Sequence, residues 1–306
     1  MSANESLPAM DGLAHLDALV TEQHSPRNGL AESLSTAELA EAMNNADTEV
    51  PRAVRATIPA IVAAIDEAVP RLERGGRLIY VGAGSSGRLA VLDAAECPPT
   101  FRTDPAQVQA IIAGGDRAIR TASEGAEDDF AAGAAELPAV GPDDVVVGLS
   151  ASGRTPYVLG AISAATEAGA LTVGIMCNRG VALATAVNHP IEVVVGPEVL
   201  AGSTRLKAGT AQKLVLNMLS TIIMVRLGKT YGSLMVDMKA TNGKLQARAV
   251  RIITTITGVD SDQAAAALRE SDGEVKTAVV MLTKSVPAPT ARALVEQADG
   301  HLERVL

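Results

Sequence analysis

The sequence predicts an α/β protein, a doubly wound five-stranded parallel sheet, joined to a small C-terminal helical domain. Three observations carry this. Apolar, β-branched runs recur at 77–82, 108–113, 144–149, 171–176 and 191–195, separated by stretches of helical composition, the alternation expected of a parallel sheet. Two of these runs break into glycine- and serine-rich turns ending in the same Ser-Gly-Arg triplet. Beyond residue 245 the pattern changes to short amphipathic helices punctuated at Gly258, Asp272-Gly273 and Pro287-Ala288-Pro289, the mark of a separate helical appendage.

Taken in order, residues 1–48 form an N-terminal helical arm, 49–245 the sheet domain and 246–306 the helical domain. Helices are expected over 36–46 and 50–73. Ser35-Thr36-Ala37-Glu38 has the spacing of a capping box, and Ile58, Ile61, Ile65 and Val69 fall on one helical face. The long helix expected over 207–227 is apolar nearly all round in its second half, which predicts burial in a core or a subunit interface. The tail pattern TGVDSDQAAAALRESDGEVKTAVVML resembles a three-helix module of the ubiquitin-associated type.

The two turns read Val81-Gly82-Ala83-Gly84-Ser85-Ser86-Gly87-Arg88 and Leu149-Ser150-Ala151-Ser152-Gly153-Arg154-Thr155. A strand that breaks into Gly and Ser and then opens a helix directs unpaired backbone N–H groups, hydroxyls and the positive end of the helix dipole at one point. That is a phosphate cradle. Two of them in one sheet point to a small phosphorylated ligand at the carboxyl edge of the strands. Arg88, Arg154, Arg205 and Lys207 lie in or near these segments and supply candidate countercharge. Gly82 to Gly87 also fits a dinucleotide fingerprint, but that reading wants an acid at the end of the second strand. Ala113-Gly114-Gly115 stands there instead.

Composition narrows the function. Twenty-six Lys and Arg against 35 Asp and Glu give a net charge of −9, and with only three Tyr, two Phe and no Trp little is left for base stacking. Both facts argue against a nucleic-acid surface. Cys97 and Cys177, with His15, His24, His189 and His301, show no metal-ligand spacing, so no structural metal is expected. The N-terminus is polar, and Lys213, Asn217 and Arg226 interrupt the 207–227 helix; a soluble, cytoplasmic protein with no membrane partner is expected.

Two acidic places suit proton transfer. Glu96 precedes Cys97-Pro98-Pro99, and the bias of a pre-proline residue away from helical geometry predicts that the helix begun near Ser86 stops around Glu96. At a helix C-terminus the dipole would raise a carboxyl pKa, as a general acid requires. Glu124, Glu127, Asp128 and Asp129 crowd the segment before an alanine-rich helix, where plain helix capping is the usual role and a carboxylate base the functional alternative. An acid and a base in opposed environments would serve a two-carboxylate mechanism. Ser86 and Glu96 are about ten helical residues apart, roughly 15 Å, so Glu96 is expected to serve a phosphate held by the other turn or by a second subunit.

These residues resemble the N-acetylmuramic acid 6-phosphate etherases, a branch of the sugar isomerase (SIS) domain family related to glucokinase regulatory protein. The matching stretches are VGAGSSGRLAVLDAAECPPTF, IIAGGDRAI with EGAEDD, DVVVGLSASGRTPYVLGAI, GSTRLKAGTAQKLVLNMLST and LMVDMKATNGKL. The resemblance implies a lyase without metal or organic cofactor, acting as a homodimer with a shared site. It converts N-acetylmuramic acid 6-phosphate and water to N-acetylglucosamine 6-phosphate and D-lactate in cell-wall recycling. It implies Glu96 as the acid that protonates the lactyl oxygen and Glu127 as the base at C2. Gly84, Ser85, Ser86, Gly87, Arg88, Ser150, Ser152, Gly153, Thr155, Ser203 and Lys207 are the expected substrate and phosphate ligands. The segment Thr21 to Ser33 departs from the family pattern, as do Lys239 and Gly243. A sugar-phosphate sensor would need only the turns and an isomerase only a base at C2; Glu96 and Glu127 together favour the etherase.

Overall fold

The structure, a computed structural model, describes residues 19–24, 31–238 and 242–306. Helices α1 (Thr36–Asp47), α2 (Val50–Ala56) and α3 (Ile58–Glu73) precede strand β1 (Leu78–Gly82). Then come α4 (Gly84–Phe101), β2 (Val108–Ile112), α5 (Gly115–Arg120), a 3-10 turn (Ala126–Asp128), α6 (Phe130–Glu136) and β3 (Val145–Leu149). α7 (Pro156–Glu167), β4 (Leu171–Met176), α8 (Ala182–Ala186), β5 (His189–Glu192) and α9 (Lys207–Arg226) follow. A hairpin of β6 (Thr230–Tyr231) and β7 (Leu234–Met235) leads to α10 (Gly243–Thr257), α11 (Ser261–Glu270), α12 (Val275–Lys284), α13 (Ala288–Gln297) and α14 (Leu302–Val305). Ser25 to Leu30 of the divergent arm, and Lys239, lie outside the described residues.

Two compact units are present. One takes in the residues up to Leu92 together with Gln109–Met218, and the other Asp93–Val108 with Leu219–Leu306. The first holds the five-stranded sheet in the order β2-β1-β3-β4-β5, the flavodoxin-like doubly wound order, whose ligand crevice opens where the winding reverses between β1 and β3. β1 and β3 pair in parallel, from Leu78 opposite Val145 to Gly82 opposite Leu149. Their carboxyl ends are therefore level, and both serine turns leave the sheet side by side. Every residue of these two strands is buried, as the continuous apolar runs require of a sheet covered on both faces. Ile79, Val81 and Val146 pack with Tyr157, Val158, Ala161 and Ile162 of α7, each large side chain stabilising the fold by about 1.5–3 kcal/mol.

The helices follow local chemistry, with corrections to one boundary and to two faces expected to be buried. The capping box forms: Glu38 N donates to Ser35 Oγ at 3.3 Å and Ser35 N to Glu38 Oε2 at 2.8 Å. The helix expected over 50–73 is two helices meeting at Thr57, because Pro59 cannot donate the backbone bond that would carry the first turn into the second. Its buried face is Ile61, Ala64, Ile65, Ala68 and Leu72, while Ile58 is 40% exposed. α9 buries Ala208, Ala211, Val215, Leu216, Leu219, Ile223 and Met224 but leaves Ile222 and Val225 exposed on its second half.

In the second unit α10, α11 and α12 pack pairwise, and α13 packs on α12. Asn242 and Asp260 cap α10 and α11 through bonds from Leu245 N (3.0 Å) and Gln263 N (2.8 Å). The buried Lys276 Nζ donates to Asp237 Oδ2 at 2.7 Å, a carboxylate shared with Lys229 at 3.3 Å. Burial lowers the Lys276 pKa against the pull of Asp237.

Candidate active site

The turn after β3 brings three hydroxyls together at the N-terminus of α7. Ser150 Oγ lies 2.8 Å from Thr155 Oγ1 and 3.2 Å from Ser152 Oγ, and it accepts the Gly153 N–H at 3.0 Å. Ser152 Oγ accepts the Arg154 N–H at 3.2 Å. Gly153 has φ +70°, which closes the loop into this cluster and favours glycine. Thr155 is the N-cap of α7 and makes no side-chain cap bond, so the first-turn N–H groups and the hydroxyls converge on one polar notch.

Behind the notch stands Asn178, just past β4 and almost fully buried. Its Nδ2 donates to Ala151 O and to Thr21 Oγ1, both at 3.1 Å, and its Oδ1 accepts from Val20 N at 2.8 Å. The described part of the divergent arm is thus stitched to the back of the serine turn. Sequence reasoning overlooks Asn178, since the partners it joins are far apart along the chain.

The turn after β1 is built differently. Gly84 has φ +52° and opens α4. Ser86 is buried and its hydroxyl donates to Gln212 Oε1 of α9 at 2.8 Å, whereas Ser85 is half-buried. Arg88 Nε donates to Ala118 O and Ile119 O of α5, each at 3.1 Å, so this guanidinium ties α5 to the turn.

A cavity of about 200 Å³ opens beside that turn, lined by Ala83, Gly84, Arg88 and Ala113 on one side and by Ser123, Glu124, Gly125 and Glu127 on the other. Glu127 sits on the 3-10 turn and is exposed. Capping of α6 falls to Asp129, whose Oδ1 accepts Ala132 N at 2.8 Å. The capping role that could have engaged the acidic cluster is filled by Asp129, and Glu124 and Glu127 face the cavity.

The expected helix end at Glu96 is corrected. α4 runs through Pro98 and Pro99 to Phe101, which places Glu96 within the helix, exposed, in the stretch assigned to the second unit. Ala94, Cys97 and Phe101 form a buried stripe, and its burial outweighs the pre-proline bias. Cys97 Sγ donates to Asp93 O, and Arg102 N to Pro98 O, keeping the last turns bonded. Glu96 is not among the described residues that line the Glu127 cavity.

Lys207 and Ser203 fall elsewhere than the Glu127 cavity. Lys207 Nζ donates to Val195 O at 2.7 Å and lines a groove of about 890 Å³ with Glu38, Glu41 and Glu49. Burial lowers its pKa, while the negative charge of Glu198 opposes the shift. Glu198 is fully buried and accepts Lys207 N at 3.0 Å and Ala208 N at 2.9 Å, so a carboxylate of the chain itself fills the N-terminus of α9. Ser203 is half-buried in the loop before α9, its N–H bonded to Leu200 O. Arg154 and Arg205 are exposed.

Adjoining serine turns at the switch point of a 2-1-3-4-5 parallel sheet make this a doubly wound α/β protein, and the family match places it in the SIS class. Residues 127–222 match the SIS domain, and residues 60–166 match the glucokinase regulatory protein N-terminal SIS domain. The N-acetylmuramic acid 6-phosphate etherase of Streptomyces avermitilis is 55% identical over 295 residues, 96% of this chain and 95% of its own. The etherase of the same name from Rubrobacter xylanophilus is 57% identical over 279 residues, 90% of this chain and 93% of its own. Among solved structures, a phosphoheptose isomerase from Francisella tularensis aligns with a TM-score of 0.47 at 23% identity, over 63% of this chain and 100% of that one. The chain belongs to the N-acetylmuramic acid 6-phosphate etherase family.

Proposed function

We propose that this protein cleaves the lactyl ether of N-acetylmuramic acid 6-phosphate, releasing D-lactate and N-acetylglucosamine 6-phosphate in the recycling of cell-wall sugar. The observation that carries the reading is the Ser150–Ser152–Thr155 cluster at the end of β3 together with a cavity, at the end of the neighbouring β1, lined by both Glu127 and the turn after that strand. The identity to the etherases over nearly the whole chain supports it.

The chemistry asks for what these residues offer. The hydroxyl cluster and the first turn of α7 bind the phosphate. In the open-chain sugar the C2 proton is acidified by the C1 aldehyde, and the lactyl ether at C3 is β to it. Glu127 takes the C2 proton. The electron pair forms the C2–C3 double bond as the C3–O bond breaks, and Glu96 protonates the departing lactyl oxygen. Water then adds at C3 and a proton returns to C2, giving the product. Each carboxylate contributes on the order of 10²- to 10⁴-fold. No step on this route calls for a metal or organic cofactor. Glu96 belongs to a homodimeric, cytoplasmic enzyme in which a second copy completes the site.

Heavy-water assays of two variants test these roles. Glu127→Gln is expected to lose both C2 deuterium exchange and lactate release, while Glu96→Gln loses lactate release and retains exchange. A mixture of the two inactive variants regains activity when subunits share the site. Full lactate release by either variant alone contradicts its assigned role.

A further inference from the structure

Helix α6, which follows directly from the Glu127 turn, is locked to α7, which carries the hydroxyl cluster at its start. At their crossing a Cβ on Gly133 would stand 1.9 Å from Tyr157 O, and a Cβ on Gly160 1.9 Å from Phe130 O. Any side chain at either position would force the helices apart. A second tie sits beside the crossing. Tyr157, 1% exposed in the first turn of α7, donates its hydroxyl to Glu136 Oε2 in the last turn of α6 at 2.5 Å. Burial, then the hydrogen bond to Glu136 and its charge, raise the Tyr157 pKa, so the phenol remains a donor across the working pH range. Ala126, next to Glu127, packs on the cluster that contains Tyr157 and Val158, and the 3-10 turn itself rests on α7.

We propose that Tyr157, Glu136 and the Gly133–Gly160 crossing are positioning residues that set Glu127 at a fixed distance from the hydroxyl cluster, joining base and phosphate cradle in one rigid part. This rests on the reading of Glu127 as the base. None of the four touches the reacting atoms; each acts through α6. A displacement of about 1 Å at a reacting group costs up to about 10²-fold in rate, whereas phosphate affinity depends on the turn after β3 and is left alone.

The test uses the full-length protein and the sugar-phosphate substrate. Tyr157→Phe removes one oxygen and preserves the packing; Gly160→Ala is the stronger perturbation and is read only where circular dichroism shows a folded protein. Tyr157→Phe is expected to lower kcat and C2 deuterium exchange together by about tenfold, with KM and the affinity for inorganic phosphate within about twofold of wild type. Glu136→Gln keeps an acceptor for the phenol and is expected to restore kcat relative to Glu136→Ala. Wild-type kcat in Tyr157→Phe with only a lowered melting temperature overturns the proposal, as does equal loss in Glu136→Gln and Glu136→Ala. Retention of C2 exchange by Glu127→Gln instead refutes the base reading, so the two failures are distinguishable.

Discussion

Ser150 is the hub of the hydroxyl cluster that follows β3. It is 3% exposed, and its Oγ meets two other hydroxyls and a backbone N–H, so an alanine there removes the hub and leaves Ser152 and Thr155 without their common partner. Ser150→Ala is expected to weaken sugar-phosphate binding by about 10- to 100-fold, the value of one hydrogen bond to a charged group, and to lower the melting temperature by the loss of its internal hydroxyl bonds; titration calorimetry and thermal melts measure the two. The hydroxyl cluster and the positive-φ glycines of the two turns were legible because each belongs to one short turn whose chemistry is local, whereas Glu127 was singled out from its acidic neighbours only by the family resemblance. Ser86 bonded to Gln212, Asn178 backing Ala151, and Glu198 filling the start of α9 were not legible. Those contacts join segments that the chain order separates, and no local pattern encodes them. Cys177 is fully buried, and burial pushes its thiol up to about 12, with Glu198 adding to the shift, which suits a packing residue rather than a nucleophile.

Elements were legible where hydrophobic period and caps agree. Four of the five strands stand where the β-branched runs place them, while β5 runs over His189–Glu192 and so meets the 191–195 run only at its end; the Ser35 box starts α1 at Thr36. Proline was the source of error in both directions: Pro59 divides a helix that periodicity alone would continue, and Pro98-Pro99 fail to end α4 because a buried stripe carries it on. At the opposite edge of the sheet from the cradles, Asp144 fastens the entry to β3. It accepts Arg77 N at 2.9 Å, Arg77 Nη2 at 2.7 Å and Gly141 N at 2.9 Å. Burial opposes the Asp144 charge, but these donors prevail and hold the carboxyl below its ordinary range. The ion therefore contributes stability above the ordinary aspartate value, and the contribution is lost as pH falls through the lowered folded one. Asp144→Asn is expected to cost about 2 kcal/mol near neutral pH, shrinking as the pH drops below the folded value, with kcat unchanged. Denaturant melts over an acid pH series read this; a penalty that grows toward low pH contradicts it.

At the scale of the whole molecule, the proposed reaction requires phosphate grip and proton transfer at one sheet edge. The 2-1-3-4-5 order sets the turns after β1 and β3 next to each other, and the return of the chain through α5 and the 3-10 turn sets Glu127 against the first of them. The strand runs and turn chemistry foretold this edge, but the crossing of α6 over α7 was hidden, since an alanine-rich helix with one glycine looks ordinary until its neighbour is known. Lactate is expected to leave by elimination from a C2 carbanion. This is tested most directly by incubating the metal-stripped protein with N-acetylmuramic acid 6-phosphate in heavy water and following lactate and the C2 position by nuclear magnetic resonance. Elimination and hydration predict one D-lactate released for each N-acetylglucosamine 6-phosphate formed, with deuterium at C2. Lactate released with the original C2 hydrogen retained, or sugar phosphate bound with neither lactate nor exchange, would contradict it.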